Sequence, residues 1–152
     1  MDSYIGKVVN SMNSLSTIDT LVGTEGIKAA YERTLRSKKL DIVCLSTNYE
    51  QVIGSYFERE YSPRLYEKGR VTRELLPDTT GNRADAKQKT VGHEVKFIKT
   101  GETSESDMII ADDTVTFISF NQSSPCAIVV ADAQIVGSIR MQFEALWNSV
   151  HP

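Results

Sequence analysis

Residues 105–119, Glu-Ser-Asp-Met-Ile-Ile-Ala-Asp-Asp-Thr-Val-Thr-Phe-Ile-Ser, constrain the fold more than any other part of the chain. Two short apolar runs, 108–111 and 115–118, flank the polar turn Asp112-Asp113-Thr114, which predicts a tight hairpin with buried strands. Carboxylates mark both of its ends. Glu105 and Asp107 stand at the entry, and Asp112 and Asp113 form the turn.

The flanking segments read as an alternation of helices and strands. Over residues 4–15, Tyr4, Ile5, Val8, Val9, Met12 and Leu15 recur at helical spacing behind Asp2 or Ser3, predicting an amphipathic helix within residues 1–16. A short run at 17–22 leads through Gly23 into a helix capped by Thr24, with Ile27, Ala30, Tyr31 and Thr34 on its apolar face. Residues 41–46 read as a buried strand of the parallel-sheet kind. Val52, Ile53, Tyr56, Phe57 and Tyr61 mark the next helix, which Ser62-Pro63 interrupts and restarts as a short turn ending at Gly69. A strand at 71–76 stops at Pro77, and the polar stretch 78–92 predicts a long loop or a weak helix. Strands at 94–98 and 126–131 bracket the hairpin. Asp132 then caps a final helix with Ile135, Val136, Ile139, Phe143, Leu146 and Trp147 on one face. The sum is an α/β domain over residues 17–150, a mixed β-sheet flanked by helices.

At 152 residues the chain suffices for one domain, which should bury about 68–70% of its unfolded surface. A net charge of -3 gives no overall electrostatic basis for binding nucleic acid. The local strip Arg83, Lys87, Lys89, Lys96 and Lys99 reads as a solvated loop and strand edge. Cys44 and Cys126 lie inside apolar runs as small core residues; a disulfide stays open, with reduced thiols the simpler reading. No apolar run approaches the roughly 20 residues of a membrane span. Asp2, Lys7 and Asn10 interrupt any secretory signal, so the expected location is cytoplasmic.

The hairpin resembles the strand-turn-strand of the phospholipase D superfamily, which carries His-x-Lys-x-x-x-x-Asp. Aligning its acidic end on Asp112 and Asp113 puts Glu105 at the histidine position and Asp107 at the lysine position. The superfamily reaction uses an imidazole nucleophile and a nearby cation. Carboxylates there oppose a phosphodiester: like unit charges about 4 Å apart repel by roughly 1 kcal/mol in water and roughly 4 kcal/mol at an effective dielectric near 20. The resemblance thus implies a phospholipase D-like half-domain without catalytic residues, and a protein that is not an enzyme. Further segments agree in order: Gly23-Thr-Glu-Gly-Ile27 before a tyrosine-bearing helix, Tyr66-Glu-Lys-Gly69, a strand with Arg73, Glu94-Val-Lys-Phe-Ile98 and Phe143-Glu-Ala-Leu-Trp147. Over residues 17–150 they look like the regulatory, effector-binding domain of TrmB-type transcriptional regulators. That resemblance implies a sensing and dimerisation domain, a homodimer, and a small polar ligand such as a sugar. The family's preceding winged-helix domain has no counterpart here, so direct nucleic-acid binding is not expected, and a separate DNA-binding protein is the partner implied.

Ligands of open α/β sheets collect at the carboxyl edge of the strands. The residues expected there are Ser46, Thr47 and Asn48, with Arg73, Glu105, Asp107 and Asn121 from neighbouring segments, a mixed polar set suited to a neutral metabolite. No metal or cofactor is expected. The acids Glu105, Asp107 and Asp112 offer oxygens to a divalent cation, but turn chemistry and solvation account for them. Gly23-Thr-Glu-Gly26 lacks the lysine of a phosphate loop and reads as a turn with a helix cap. The alternative function is a phosphodiesterase or nuclease of the phospholipase D superfamily, with a degenerate site working through His93 and the acidic hairpin.

Overall fold

The expected hairpin lies at the centre of the sheet in the computed structural model, which describes residues 15–151. The helix expected within residues 1–16 falls almost wholly outside that range. β5 (Ser106–Ala111) and β6 (Thr114–Ser119) pair antiparallel with Ala111 opposite Thr114, leaving the two-residue turn Asp112-Asp113. Two-residue hairpins favour left-handed backbone, and Asp112 adopts it with φ 50°. Its carboxylate accepts from the Ser37 hydroxyl at 2.6 Å, and its carbonyl accepts from Arg140 at 2.9 Å.

β1 (Thr17–Val22), β2 (Lys39–Cys44), β3 (Val71–Pro77), β4 (His93–Ile98) and β7 (Cys126–Ala131) complete a seven-stranded mixed sheet in the order β1-β7-β6-β5-β2-β3-β4. β2, β3 and β4 are mutually parallel, while β2 pairs antiparallel with β5. The carboxyl ends of the parallel trio therefore emerge beside the entry of β5, at Glu105.

The pleat assigns alternate side chains to two cores. On one face Leu40, Ile42, Ile109, Ile118 and Ala127 meet α1 (Gly23–Thr34), α2 (Tyr49–Ile53), a π-helical turn at Phe57–Tyr61 and α3 (Ser62–Leu65). On the other, Leu75, Ile110, Val115 and Val130 meet Val136, Phe143 and Trp147 of α5 (Ala133–Ser149). No helix among the described residues is long and apolar enough to cross a membrane.

Several local expectations are corrected. α1 starts at Gly23, and the Thr24 hydroxyl donates to the Val52 carbonyl at 2.9 Å instead of capping its own helix. The helix expected through Val52 to Tyr61 is broken at Gly54, whose φ is 59°, before the π-helical turn; Ser62-Pro63, expected to interrupt the helix, instead carries that turn straight into α3, with Tyr61 and Ser62 both in right-handed helical backbone. Within the polar stretch, α4 (Thr80–Ala86) forms because the Thr79 hydroxyl accepts from the Asn82 N–H. Asp132 caps α5 by accepting from the Ile135 N–H at 2.8 Å. The basic strip is more than a solvated edge: Lys89 is ion-paired to the buried Glu74, Arg83 to Asp78, and Lys96 donates to the Trp147 carbonyl. Both cysteines are free.

Candidate functional site

Glu105 immediately precedes β5, and its backbone carbonyl still pairs with the Phe120 N–H at 2.9 Å. The carboxylate reaches the loop that leaves β2. It accepts from the Ser46 hydroxyl at 2.8 Å, from the Thr47 N–H at 2.8 Å and hydroxyl at 2.9 Å, and from the Asn48 N–H at 3.2 Å. Burial opposes its ionisation, yet these donors outweigh it and hold the carboxyl below the usual glutamate range. Asn48 fixes the far side by donating to the Phe120 carbonyl. Ser46, Thr47, Asn48 and Glu105 thus form one knot joining β2 to the hairpin.

Two residues on, Asp107 points to the same face of the sheet but inward, with only 4% of its surface exposed. Tyr31 of α1 and Tyr49 of α2 donate to its Oδ2 at 2.9 and 2.8 Å, and the Ser46 N–H lies 3.3 Å from Oδ1. Burial nevertheless pushes this carboxyl up to about 6. The same burial, with the Asp107 charge beside them, raises the Tyr31 and Tyr49 phenols and the Cys44 thiol, so none of the three is an activated nucleophile at neutral pH.

The remaining candidates do not join this knot. Arg73 lies near the amino end of β3 on the opposite face, bound to Asp41 and Glu144 and stacked over Phe143 and Trp147. Asn121 sits in the exposed turn after β6, where its side chain accepts from the Ser123 N–H. Asp112 occupies the far end of the hairpin from Glu105. His93 begins the edge strand β4 at its amino end; it is buried, faces the Thr72 hydroxyl at 2.9 Å, and burial lowers its pKa. It stands at the amino ends of the parallel strands and Asp107 at their carboxyl ends, so the expected partnership of His93 with the acidic hairpin is not formed. Among the described residues no group of three or more His, Cys, Asp or Glu side chains is arranged to hold a metal ion.

Beside the knot lies a cleft of about 640 Å3. Its walls come from the carboxyl ends of the three parallel strands: Leu45 and Thr47 after β2, Asp78 and Thr79 after β3, and Lys99, Thr100, Glu102, Thr103 and Ser104 after β4, with Glu105 at the inner corner. Five hydroxyl side chains, one ammonium and three carboxylates line it, a set able to donate and accept hydrogen bonds with a polyhydroxylated molecule. Of the residues expected at this edge from sequence, Thr47 and Glu105 line the cleft, and its walls from β3 and β4 were not among them. Extending the carboxyl-edge rule to every parallel strand, and noting the hydroxyl-rich run Thr100-Gly-Glu-Thr-Ser104, would have located them.

This architecture is a phospholipase D-like fold. Nuc from Salmonella typhimurium, a phospholipase D family member, is 13% identical, with 90% of this chain and 97% of that one superposed at a TM-score of 0.58. NucT from Helicobacter pylori is 10% identical over 90% and 98% of the two chains, with a TM-score of 0.61. TrmBL2, an archaeal chromatin protein, is 15% identical with a TM-score of 0.55; the match covers 88% of this chain and 53% of TrmBL2, so the chain spans about half of that protein. No protein-family model and no curated protein matches the sequence. The expectation that the chain is not an enzyme is corrected by these likenesses. Nuc belongs to an enzyme family, and the phosphatidylserine synthase of Haemophilus influenzae Rd KW20 also has this fold. The scaffold is one on which enzymes are built, and the residues at 105 and 107 alone do not exclude catalysis.

Proposed function

We propose that this chain is a sensing domain of the TrmB effector type, acting in the cytoplasm and taking a small neutral polar metabolite, such as a sugar, in the cleft beside Glu105. One observation carries the reading: the hydroxyl-lined cavity lies at the carboxyl ends of the parallel strands, where an α/β sheet presents its loops to ligands. Ligand contact there bears on both β2 and the hairpin through the Glu105 knot. A DNA-binding polypeptide is the partner that this reading calls for.

Thermal-shift screening against sugars and nucleotides tests it. A ligand at 100 times its dissociation constant should stabilise the fold by about 2.7 kcal/mol. Thr100→Val with Thr103→Val, which removes two cleft hydroxyls, should abolish the response while leaving the unliganded melting temperature unchanged. Stabilisation by no sugar, or stabilisation that survives the double substitution, counts against the cleft.

Phosphodiester chemistry is the second reading, favoured by the likeness to Nuc. Turnover of bis(p-nitrophenyl) phosphate that Glu105→Gln abolishes would establish it.

A further inference from the structure

Ser46 stands between the cleft and the core and is bonded to a carboxyl in each. Its hydroxyl lies 2.8 Å from Glu105 Oε2 and 2.9 Å from Asn48 Oδ1, while its N–H points the other way, 3.3 Å from Asp107 Oδ1. Before it, Leu45 is tied to β5, its N–H donating to the Ser106 carbonyl at 3.1 Å. After it, Tyr49 opens α2 with its hydroxyl on Asp107. Residues 46–48 thus hang between two fixed points, and Thr47 among them forms part of the cleft wall. Whatever moves the Ser46 N–H moves that wall.

The surroundings of Asp107 are polar but uncharged. Tyr31 from α1, Tyr49 from α2 and Cys44 from β2 bond or adjoin it, Tyr61 of the π-helical turn lies within reach of its charge, and Ile118 stands opposite on β6. Burial raises all three phenols and the thiol, so they stay neutral through the range in which a carboxyl titrates. Glu105, two residues along β5, is held ionised by its own donors. No lysine, arginine or histidine among the described residues pairs with Asp107. A buried carboxylate faced only by neutral dipoles takes up a proton more readily than one in water, here at a pH of about 6.

Where that proton sits decides what moves. A protonated carboxyl keeps one oxygen as an acceptor and makes the other a donor. On Oδ2 the proton would meet two phenolic O–H groups: Tyr31, whose hydroxyl has no second partner among the described residues, and Tyr49, which could turn only to the Cys44 sulfur, a weak acceptor. On Oδ1 it displaces one bond, the longest of the three. There an O–H is set against the Ser46 N–H, donor against donor. We propose that Asp107 is the proton switch of the cleft: protonation at Oδ1 expels the Ser46 N–H, loosens residues 46–48 and draws the Ser46 hydroxyl away from Glu105. The wall is set at neutral pH and slack in acid. The bearing of this switch on ligands rests on the reading of the cleft as a sensing site, whereas the switch itself belongs to the chain alone.

Amide NMR of the full chain without any ligand, between about pH 8 and about pH 4, tests the proposal independently of what the cleft binds. The Ser46 amide should shift with the same midpoint as the Asp107 carboxyl carbon. Its protection against hydrogen exchange should fall about tenfold on the acid side, as for the loss of one hydrogen bond to a charged acceptor, while Ile109 and Ile110 in β5 keep theirs. Asp107→Asn, which with its oxygen on the tyrosines presents an N–H to Ser46, should hold the loop slack at every pH and abolish the inflection. Tyr49→Phe takes one donor from Oδ2 and should move the midpoint upward, a shift that a carboxyl with no link to Ser46 would not pass to that amide. A Ser46 amide without an inflection in this range overturns the proposal. So does one that still titrates in Asp107→Asn, since the proton would then be on another group.

Discussion

Replacing Asp107 by asparagine should change how stability depends on pH, with a sign fixed by the site. The Asp107 carboxyl titrates near 6 in the folded protein, against about 3.9 in an unfolded chain. Between these values the folded state binds more protons than the unfolded state, so stability falls as pH rises through about 4 to 6. Two pKa units at about 1.4 kcal/mol each make that loss about 3 kcal/mol by pH 7. The asparagine variant cannot titrate there. Its stability from urea unfolding, minus that of the wild type, should rise by about 3 kcal/mol between pH 4 and pH 7 and then level off. Taking the difference cancels Glu105 and Glu32, whose lowered pKa values act in the opposite sense, adding stability that is lost as the pH falls through their folded values. A flat difference curve would refute the reasoning, because it would mean that the Tyr31 and Tyr49 hydrogen bonds fully offset burial. A falling curve would mean that they exceed it.

Three further substitutions probe the frame around the site. Gly26→Ala should destabilise by more than about 2 kcal/mol or prevent folding, since its Cβ would stand 2.5 Å from the Leu21 carbonyl carbon; the melting temperature reports it, and an unchanged value would show that β1 can yield. Arg73→Met leaves the buried Asp41 with only Arg140, 3.4 Å away, and should cost about 3 kcal/mol in urea unfolding, with Asp41→Asn in the same chain recovering part of the loss. Glu105→Ala removes the acceptor shared by Ser46, Thr47 and Asn48; about 1–2 kcal/mol is expected, given that Thr47 is exposed, together with faster amide exchange at Thr47 and Asn48. Unchanged exchange at those two amides would show that the knot is not what orders the loop.

Much of the fold was legible because its punctuation is local. The Asp112-Asp113 turn, the cap at Asp132 and the stop at Pro77 each announce a boundary within a few residues. The segment after β2 was not legible, because its course follows from tertiary packing. The π-helical turn sets Phe57 stacked on Tyr49 at 4.1 Å and brings Tyr61 to 4.4 Å from Tyr31. An uninterrupted α-helix through Gly54 would rotate those rings away from one another, and helical spacing alone does not record that constraint.

The candidate site shows the same division more sharply. Ser46, Thr47, Asn48 and Glu105 could be brought together on paper because each adjoins a strand end that the hydrophobic pattern locates. Arg73 was misplaced because the rule that puts ligands at strand ends says nothing about which end a residue occupies; it is the third residue of β3, near the amino end, with its partners Asp41 and Glu144 far off in sequence. The ionisation of the two carboxyls was beyond reach for a related reason. Residues 105 and 107 share a face of the sheet by simple alternation, so sequence predicts two acids side by side and therefore repulsion. The fold relieves that repulsion by treating them differently. Main-chain and hydroxyl donors from the β2 loop keep Glu105 ionised, while α1 and α2 bury Asp107 until it holds its proton up to about pH 6. The donors lie about 60 residues from Glu105, and Tyr31 lies 76 residues from Asp107. The difference between the two acids is thus a property of the closed structure, with Glu105 at the inner corner of the cleft and Asp107 buried outside it.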